Sequence, residues 1–298
     1  MRNRLLLGPL MILILLAGLW FDEFLDARTA PPWARWHGKE TWPPGLILFF
    51  FSAAMSLWAA RELAAILLEK SILASKRMMS FAALFGLVVS CLVPSWLSAV
   101  DAVAVVSTAA MLVLGVSIVF FCRHRTVEGV IAATGGTLLA FVYLGLMFGF
   151  LLAIRRENTA WVVVWVVLVT KACDIGAYFT GRAFGKHKLI PWLSPGKTWE
   201  GFIGGLLLAC ITAYFGWWIV RPAGEGPPAW YLGVVPGLLL GAIGQAGDLF
   251  ESVLKRDAGK KDSGGSIPGF GGILDVLDSP LLAAPFAYWW LRSLNLAG

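Results

Sequence analysis

The sequence predicts an all-α polytopic integral membrane protein of about nine transmembrane helices, with the N-terminus cytoplasmic and the C-terminus outside. Three observations carry that prediction. The 298 residues are 58% hydrophobic and only 14% charged, with a mean hydropathy of +0.77, which leaves too little charge to cover a soluble globule. Apolar runs recur at the length of roughly 20 residues that a helix needs to cross hydrocarbon. Alternating those runs across a bilayer puts fifteen Lys and Arg on the N-terminal side and seven on the other, and the cytoplasmic loops are the ones that hold such an excess.

Arg2 and Arg4 precede the first run, Leu5 to Phe21. The basic flank is that of a signal peptide, but no small-residue cleavage site follows, so the run reads as a retained span. Residues 22–44 carry Trp33, Trp36 and Trp42 among four prolines and read as an interfacial loop. The second run, Gly45 to Leu68, holds Arg61 and Glu62 near its end, where snorkelling returns both charges to water without a special function. The third and fourth runs cover Phe81 to Leu97 and Ala102 to Phe121. The fifth, Val130 to Ile154, contains Thr134-Gly135-Gly136-Thr137, small residues that let helices pack closely in lipid. Trp161 to Phe179 is the sixth and includes Lys171 and Asp174. Thr180 to Glu200 is too basic and too broken by Gly and Pro to span, and reads as a cytoplasmic loop. Phe202 to Val220, Gly233 to Leu254 and Ile273 to Leu291 complete the nine. The chain thus divides into residues 1–159, with about five spans, and a catalytic region 160–298, with about four spans and two basic Gly-rich loops on the cytoplasmic side.

Composition excludes several classes. The net charge of +6 is concentrated in loops, with no basic stripe interleaved with stacking aromatics, so nucleic acid is not a partner. Four cysteines, none in a CxxC pair, support neither a disulfide framework nor a zinc site. His37, His124 and His187 lie in loops without metal-ligand spacing.

The chemistry concentrates between Gly247 and Ser279. Asp248, Glu251, Ser252 and Lys255 follow at steps of three and four and share one helix face; Asp275 and Asp278, three apart, share another. An acid inside a span is costly unless it is paired, hydrated or metal-bound, and carboxylate oxygens are the ligands Mg²⁺ prefers, with substrate phosphates completing its shell. Pairing with Lys255, Arg256, Lys260 and Lys261 would account for any single acid. It would not account for seven glycines between Gly247 and Gly272, which allow backbone N–H groups to approach anionic oxygens. Upstream, Ser194-Pro195-Gly196-Lys197-Thr198 contains a GKT, but the first glycine of a phosphate-binding P-loop would fall at Pro191 and no strand precedes it. What remains is a Ser, a Lys and a Thr at the start of the seventh helix, whose N-terminus favours anions.

These residues resemble the phosphatidate cytidylyltransferase family, also called CDP-diacylglycerol synthases. The family signature is matched by Ser252, Lys255, Arg256, Lys261, Asp262, Gly264, Pro268, Gly269, Gly271, Gly272, Asp275 and Asp278, and two upstream blocks by Asp174 to Lys188 and Ser194 to Gly201. Two positions depart: the family His is Phe270 and the family Arg is Val276. The resemblance implies that CMP passes from CTP to phosphatidic acid, giving CDP-diacylglycerol and pyrophosphate, with one or two Mg²⁺ ions required. It implies metal ligation by Asp248 and Asp275 with Asp278 in support. It also implies catalytic roles for Asp174, Lys255 and Lys261, and substrate contacts from Ser194, Lys197, Thr198, Ser252, Arg256, Asp262, Gly271 and Gly272. A bacterial inner membrane with the site facing the cytoplasm follows. Two other classes stay open at this level: a CTP-dependent polyprenol or lipid kinase, or a paralogue acting on another lipid phosphate, and an ion-coupled transporter. The oligomeric state is open too, a homodimer included.

Overall fold

The computed structural model describes residues 2–35, 40–92, 98–123, 125, 127–220, 227–260, 262–265, 267 and 271–297. Among them the chain forms nine helices: α1 (Arg2–Asp26), α2 (Leu46–Glu69), α3 (Lys76–Leu92), α4 (Ala99–Cys122), α5 (Val130–Glu157), α6 (Ala160–Phe184), α7 (Trp199–Val220), α8 (Tyr231–Asp257) and α9 (Leu274–Ala297). One hairpin, β1 (Lys188–Ile190) and β2 (Ser194–Thr198), supplies the only sheet among the described residues. Seven helices, all but α3 and α9, are long and apolar enough to cross a membrane, and the chain is an integral membrane protein. Nine helices answer to the nine apolar runs, but α3 has only 17 residues and α9 carries Asp275, Asp278 and Arg292. The third helix begins at Lys76, ahead of its apolar run, because Ser75 Oγ accepts from Met78 N at 3.4 Å and caps it; residues 93–97, read as its end, lie outside the described residues.

The chain forms two compact units. The first comprises Met1–Ala153 with Asp257–Val276. Here α2 starts at Gly45, which has φ +84° and no side chain to cap the helix. Asp22 of α1, only 2% exposed, does so instead: its carboxylate accepts from Gly45 N at 3.1 Å and Ile47 N at 2.8 Å, meeting the positive end of the helix with a charge. α3 crosses α5 glycine to glycine. A Cβ at Gly86 would lie 2.6 Å from Phe141 O, and one at Gly145 2.7 Å from Ala83 O. At that crossing α5 widens into a π segment, Ala140–Leu146, and the buried Ser56 hydroxyl donates to Leu144 O at 3.3 Å.

The second unit comprises Ile154–Arg256 with Leu277–Gly298. α6 and α7 meet along small residues: a Cβ at Gly205 would lie 2.6 Å from Cys173 O, and one at Gly201 2.8 Å from Ala177 O. The segment expected to be a plain loop is more ordered. α6 runs on to Phe184, and β1 and β2 pair antiparallel, Lys188 opposite Thr198 and Ile190 opposite Ser194. The hairpin delivers the chain directly into α7, where Thr198 Oγ1 accepts from Gly201 N at 3.1 Å as a helix cap.

Candidate active site

The second unit gathers charged side chains from three helices and the hairpin. α8 presents Gln245, Asp248, Glu251 and Lys255 at helical spacing on one face. α9 reaches that face because Gly247 has no side chain: a Cβ there would lie 2.5 Å from Asp278 O. One carboxylate oxygen each from Asp248, Glu251 and Asp278 then falls within 4.8 Å of the others. Glu251 and Asp278 are buried and Asp248 is half-buried. Three converging acids repel unless cations answer them. Lys197, carried by β2, places Nζ 2.8 Å from Asp248 Oδ2 and donates to Gln245 Oε1 at 2.9 Å. Gln245 Nε2 donates onward to Asp174 Oδ1 at 2.8 Å. Lys171 lies 3.3 Å from Asp174 Oδ2 and 3.5 Å from Asp278 Oδ1, and Lys255 lies 2.9 Å from Glu251 Oε2. Ser279 donates from Oγ to Asp174 at 3.3 Å and from N to Asp278 Oδ1 at 2.6 Å.

Among the described residues, four carboxylates thus face three ammonium groups, a balance that suits a cation. The donors are all hard oxygens, as Mg²⁺ or Mn²⁺ requires and a thiolate-seeking metal does not. The residues fit a divalent cation, with Asp248, Glu251 and Asp278 as its holders.

Of the other expected site residues in this unit, Lys255 is buried against Glu251. Thr198 is buried as the α7 cap. Arg256 Nε donates to Leu193 O at 3.4 Å, and Ser194 and Ser252 are half-buried on β2 and α8. Asp275, Asp262, Gly271 and Gly272 belong to the first unit. There Asp275 Oδ2 accepts from Ser263 N at 3.1 Å, Ser263 Oγ at 2.7 Å and Gly272 N at 2.7 Å, so the Gly-rich loop closes on this carboxylate. Gly271 has φ +95°, and a Cβ there would lie 2.6 Å from the same oxygen. Asp262 is exposed. Lys261, Pro268, Gly269 and Phe270 lie outside the described residues.

Glu62 corrects the snorkelling expectation. It is 6% exposed, and its Oε2 accepts from Leu274 N at 3.1 Å and Ser263 Oγ at 3.4 Å. A carboxylate at the first residues of α9 satisfies N–H groups that have no helical partner. Local sequence pattern does not single out Gln245 or Ser279, nor Glu251 as a metal holder. An amide alone in an otherwise apolar helix, three residues before Asp248, is the available signal for Gln245.

Fold and site together define a polytopic helical membrane protein in which acids and lysines from three helices and a hairpin converge within one unit. Residues 40–294 match the profile of the cytidylyltransferase family, and the chain belongs to that family. Proteins named phosphatidate cytidylyltransferase are similar to it: that of Brucella suis is 33% identical over 250 residues, 83% of this chain and 85% of the relative. That of Bacillus subtilis is 40% identical over 161 residues, 51% of this chain and 56% of the relative, and that of Haemophilus influenzae 44% over 124 residues, 42% and 43%. The match spans about half the length of the last two.

Proposed function

We propose that the protein transfers CMP from CTP to phosphatidic acid in a bacterial inner membrane, releasing pyrophosphate and forming CDP-diacylglycerol. The observation that carries this reading is the Asp248, Glu251 and Asp278 triad with Lys197 at its edge, in a chain whose relatives bear that name. An oxygen of the lipid phosphate bonds to the α-phosphorus of CTP while the bond from that phosphorus to the bridging oxygen breaks, and pyrophosphate leaves with the electron pair. A nucleophile that is already an oxyanion needs little help from a base, so positioning and charge neutralisation dominate.

Asp248, Glu251 and Asp278 would hold one or two Mg²⁺ ions, which neutralise triphosphate charge and stabilise the leaving oxygen. Lys197, fixed by Gln245 and Asp248, presents an ammonium group to the phosphates from the start of α7, where the helix N-terminus adds positive potential. Lys171 pairs with both Asp174 and Asp278 and offsets their mutual repulsion. The hairpin side faces the cytoplasm, where CTP is supplied.

The test is purified protein in detergent with Mg²⁺, labelled CTP and phosphatidic acid. CDP-diacylglycerol is the expected product. A lipid product bearing only phosphate would make it a kinase, and ion flux without CTP turnover would make it a transporter.

A further inference from the structure

The hairpin that carries Lys197 is short and irregular. Lys188 pairs with Thr198 and Ile190 with Ser194, and the register shifts between those two pairs. Leu189 of β1 therefore stands against Pro195, Gly196 and Lys197 of β2, and a bulge of that kind re-aims the side chains it carries. Lys197 nevertheless reaches Asp248 Oδ2 at 2.8 Å and Gln245 Oε1 at 2.9 Å, with its side chain only 16% exposed. Its aim depends on what holds the two ends of the hairpin.

Those ends are held differently. At the turn, Arg256 Nε of α8 donates to Leu193 O at 3.4 Å. At the root, Trp199 N donates to His187 O at 3.0 Å, and Glu200, the second residue of α7, reaches across to the other strand's entry. Its Oε2 accepts from Lys186 N and from His187 N, both at 3.2 Å, and its Oε1 lies 2.6 Å from His187 Nδ1. Helix α6 ends at Phe184 and β1 begins at Lys188, so one carboxylate grips the short link by which the chain leaves α6. Hydrogen bonds to an ionised acceptor are the strong kind. Capping α7 does not require this acid, because Thr198 Oγ1 already accepts from Gly201 N. The link and the end of β2 are also packed together: a Cβ at Gly185 would lie 2.8 Å from Thr198 Oγ1. A shift of the link is therefore passed to Thr198, the neighbour of Lys197.

We infer that Glu200 is a positioning residue, which locks the root of the hairpin through the Lys186 and His187 amides and so holds Lys197 against Asp248 and Gln245. It acts through Lys197 and touches no substrate itself. The backbone amides carry the grip; the His187 ring, on a side chain 78% exposed, adds little to it. Every residue involved belongs to the second unit. The inference deepens the proposed reaction, and only its turnover arm rests on that reading.

The first arm of the test uses the full chain in detergent without CTP, lipid or metal, and follows reductive methylation of individual lysines by peptide mass spectrometry. Lys197 should react several-fold faster in Glu200→Ala than in wild type, while Lys171 and Lys255, which stand on helices, keep their wild-type rates. Glu200→Gln, which retains an acceptor oxygen, should return Lys197 toward the wild-type rate. In turnover, Glu200→Ala should lower kcat about 10- to 100-fold, the scale of a displaced catalytic group, with the KM for phosphatidic acid within twofold. Glu200→Gln should recover most of that loss. His187→Ala should lose less than threefold, and a loss equal to that of Glu200→Ala overturns the assignment to the backbone grip. In a Lys197→Ala background Glu200→Ala should cost less than about twofold more, since two residues acting through one contact are not additive; a full additional loss overturns the inference. So does an unchanged Lys197 labelling rate in a folded Glu200→Ala protein. If Glu200→Ala does not fold, seen as faster labelling of Lys171 and Lys255 as well, Glu200→Asp replaces it, with a shorter reach: selective exposure of Lys197 supports the inference and a wild-type rate overturns it. Selective exposure of Lys197 in a protein forming no CDP-lipid would remove the proposed reaction and leave this role standing; CDP-lipid formation with Lys197 labelling indifferent to Glu200 would do the reverse.

Discussion

Lys197 Nζ lies 2.8 Å from Asp248 Oδ2, joining a β-hairpin residue to the acid that stands nearest to solvent in the carboxylate triad. The pair explains why a hairpin precedes α7 at all: it holds a cation at the edge of an acidic cluster that three helices build. Without it, Asp248, Glu251 and Asp278 would face one another with less compensation, at a cost that low dielectric raises.

Asp248→Asn removes both the anion that fixes Lys197 and one of the three oxygen donors. CDP-lipid formation should fall at least about 100-fold, the scale of losing one preorganised electrostatic group. The Mg²⁺ concentration for half-maximal rate should rise, while the melting temperature stays close to wild type because the side chain is half-buried and isosteric. Radiolabelled CTP turnover across a Mg²⁺ titration checks this, and an unchanged Mg²⁺ dependence would remove Asp248 from the metal site.

Gln245 acts through its neighbours. Its amide accepts from Lys197 and donates to Asp174, so Gln245→Leu leaves a cation and a carboxylate each short of a hydrogen bond, at about 1–3 kcal/mol. The expected outcome is a 10- to 100-fold lower kcat with the KM for phosphatidic acid within twofold. Gln245→Glu should disturb Asp174 by like charge while keeping the contact to Lys197, giving an intermediate rate. A Gln245→Leu enzyme with wild-type kcat would reduce the residue to packing.

Glu62 braces the loop of the first unit. Glu62→Ala removes the acceptor of Leu274 N, while Ser263 Oγ keeps Asp275 Oδ2 at 2.7 Å, so one buried donor is left unpaired at about 1–3 kcal/mol. The melting temperature in detergent should drop by several degrees, and limited proteolysis should open the chain between Asp257 and Gly272. Glu62→Gln, which keeps an acceptor oxygen, should recover part of the loss. A Glu62→Ala protein as stable and protease-resistant as wild type would sink this role.

The legible parts of the fold are those written in local pattern. Nine apolar runs correspond to the nine helices of the described residues, and steps of three and four place Asp248 with Glu251 on one face of α8. What the sequence does not disclose are contacts across long separations. Glu62 looks like an end-of-span charge because its partners, Ser263 and Leu274, lie more than 200 residues away. Glu251 and Gln245 are overshadowed by the aspartates for the same reason, since only the approach of α9 and the hairpin shows which α8 residues have company. The hairpin is hidden by Gly and Pro, which break helices but permit a short two-stranded turn.

Glycine positions separate packing from mere flexibility, and they can be tested in pairs. At Gly205 a Cβ would lie 2.6 Å from Cys173 O and 3.1 Å from Ala177 Cβ; the first of these is backbone on α6 that cannot rotate aside. Gly205→Leu therefore forces α6 and α7 apart, and overpacking of that kind costs about 1–3 kcal/mol or more. At Gly196, between Ser194 and Lys197 in β2, a Cβ would meet nothing within 4 Å, so Gly196→Ala should stay within about 0.5 kcal/mol of wild type. Thermal unfolding in detergent, read by light scattering, should show a lowered midpoint for Gly205→Leu and no shift for Gly196→Ala. Turnover should follow stability in the first variant and remain at the wild-type level in the second. A stable, active Gly205→Leu protein would mean that α6 and α7 do not need the close approach that carries Lys197 toward Asp248.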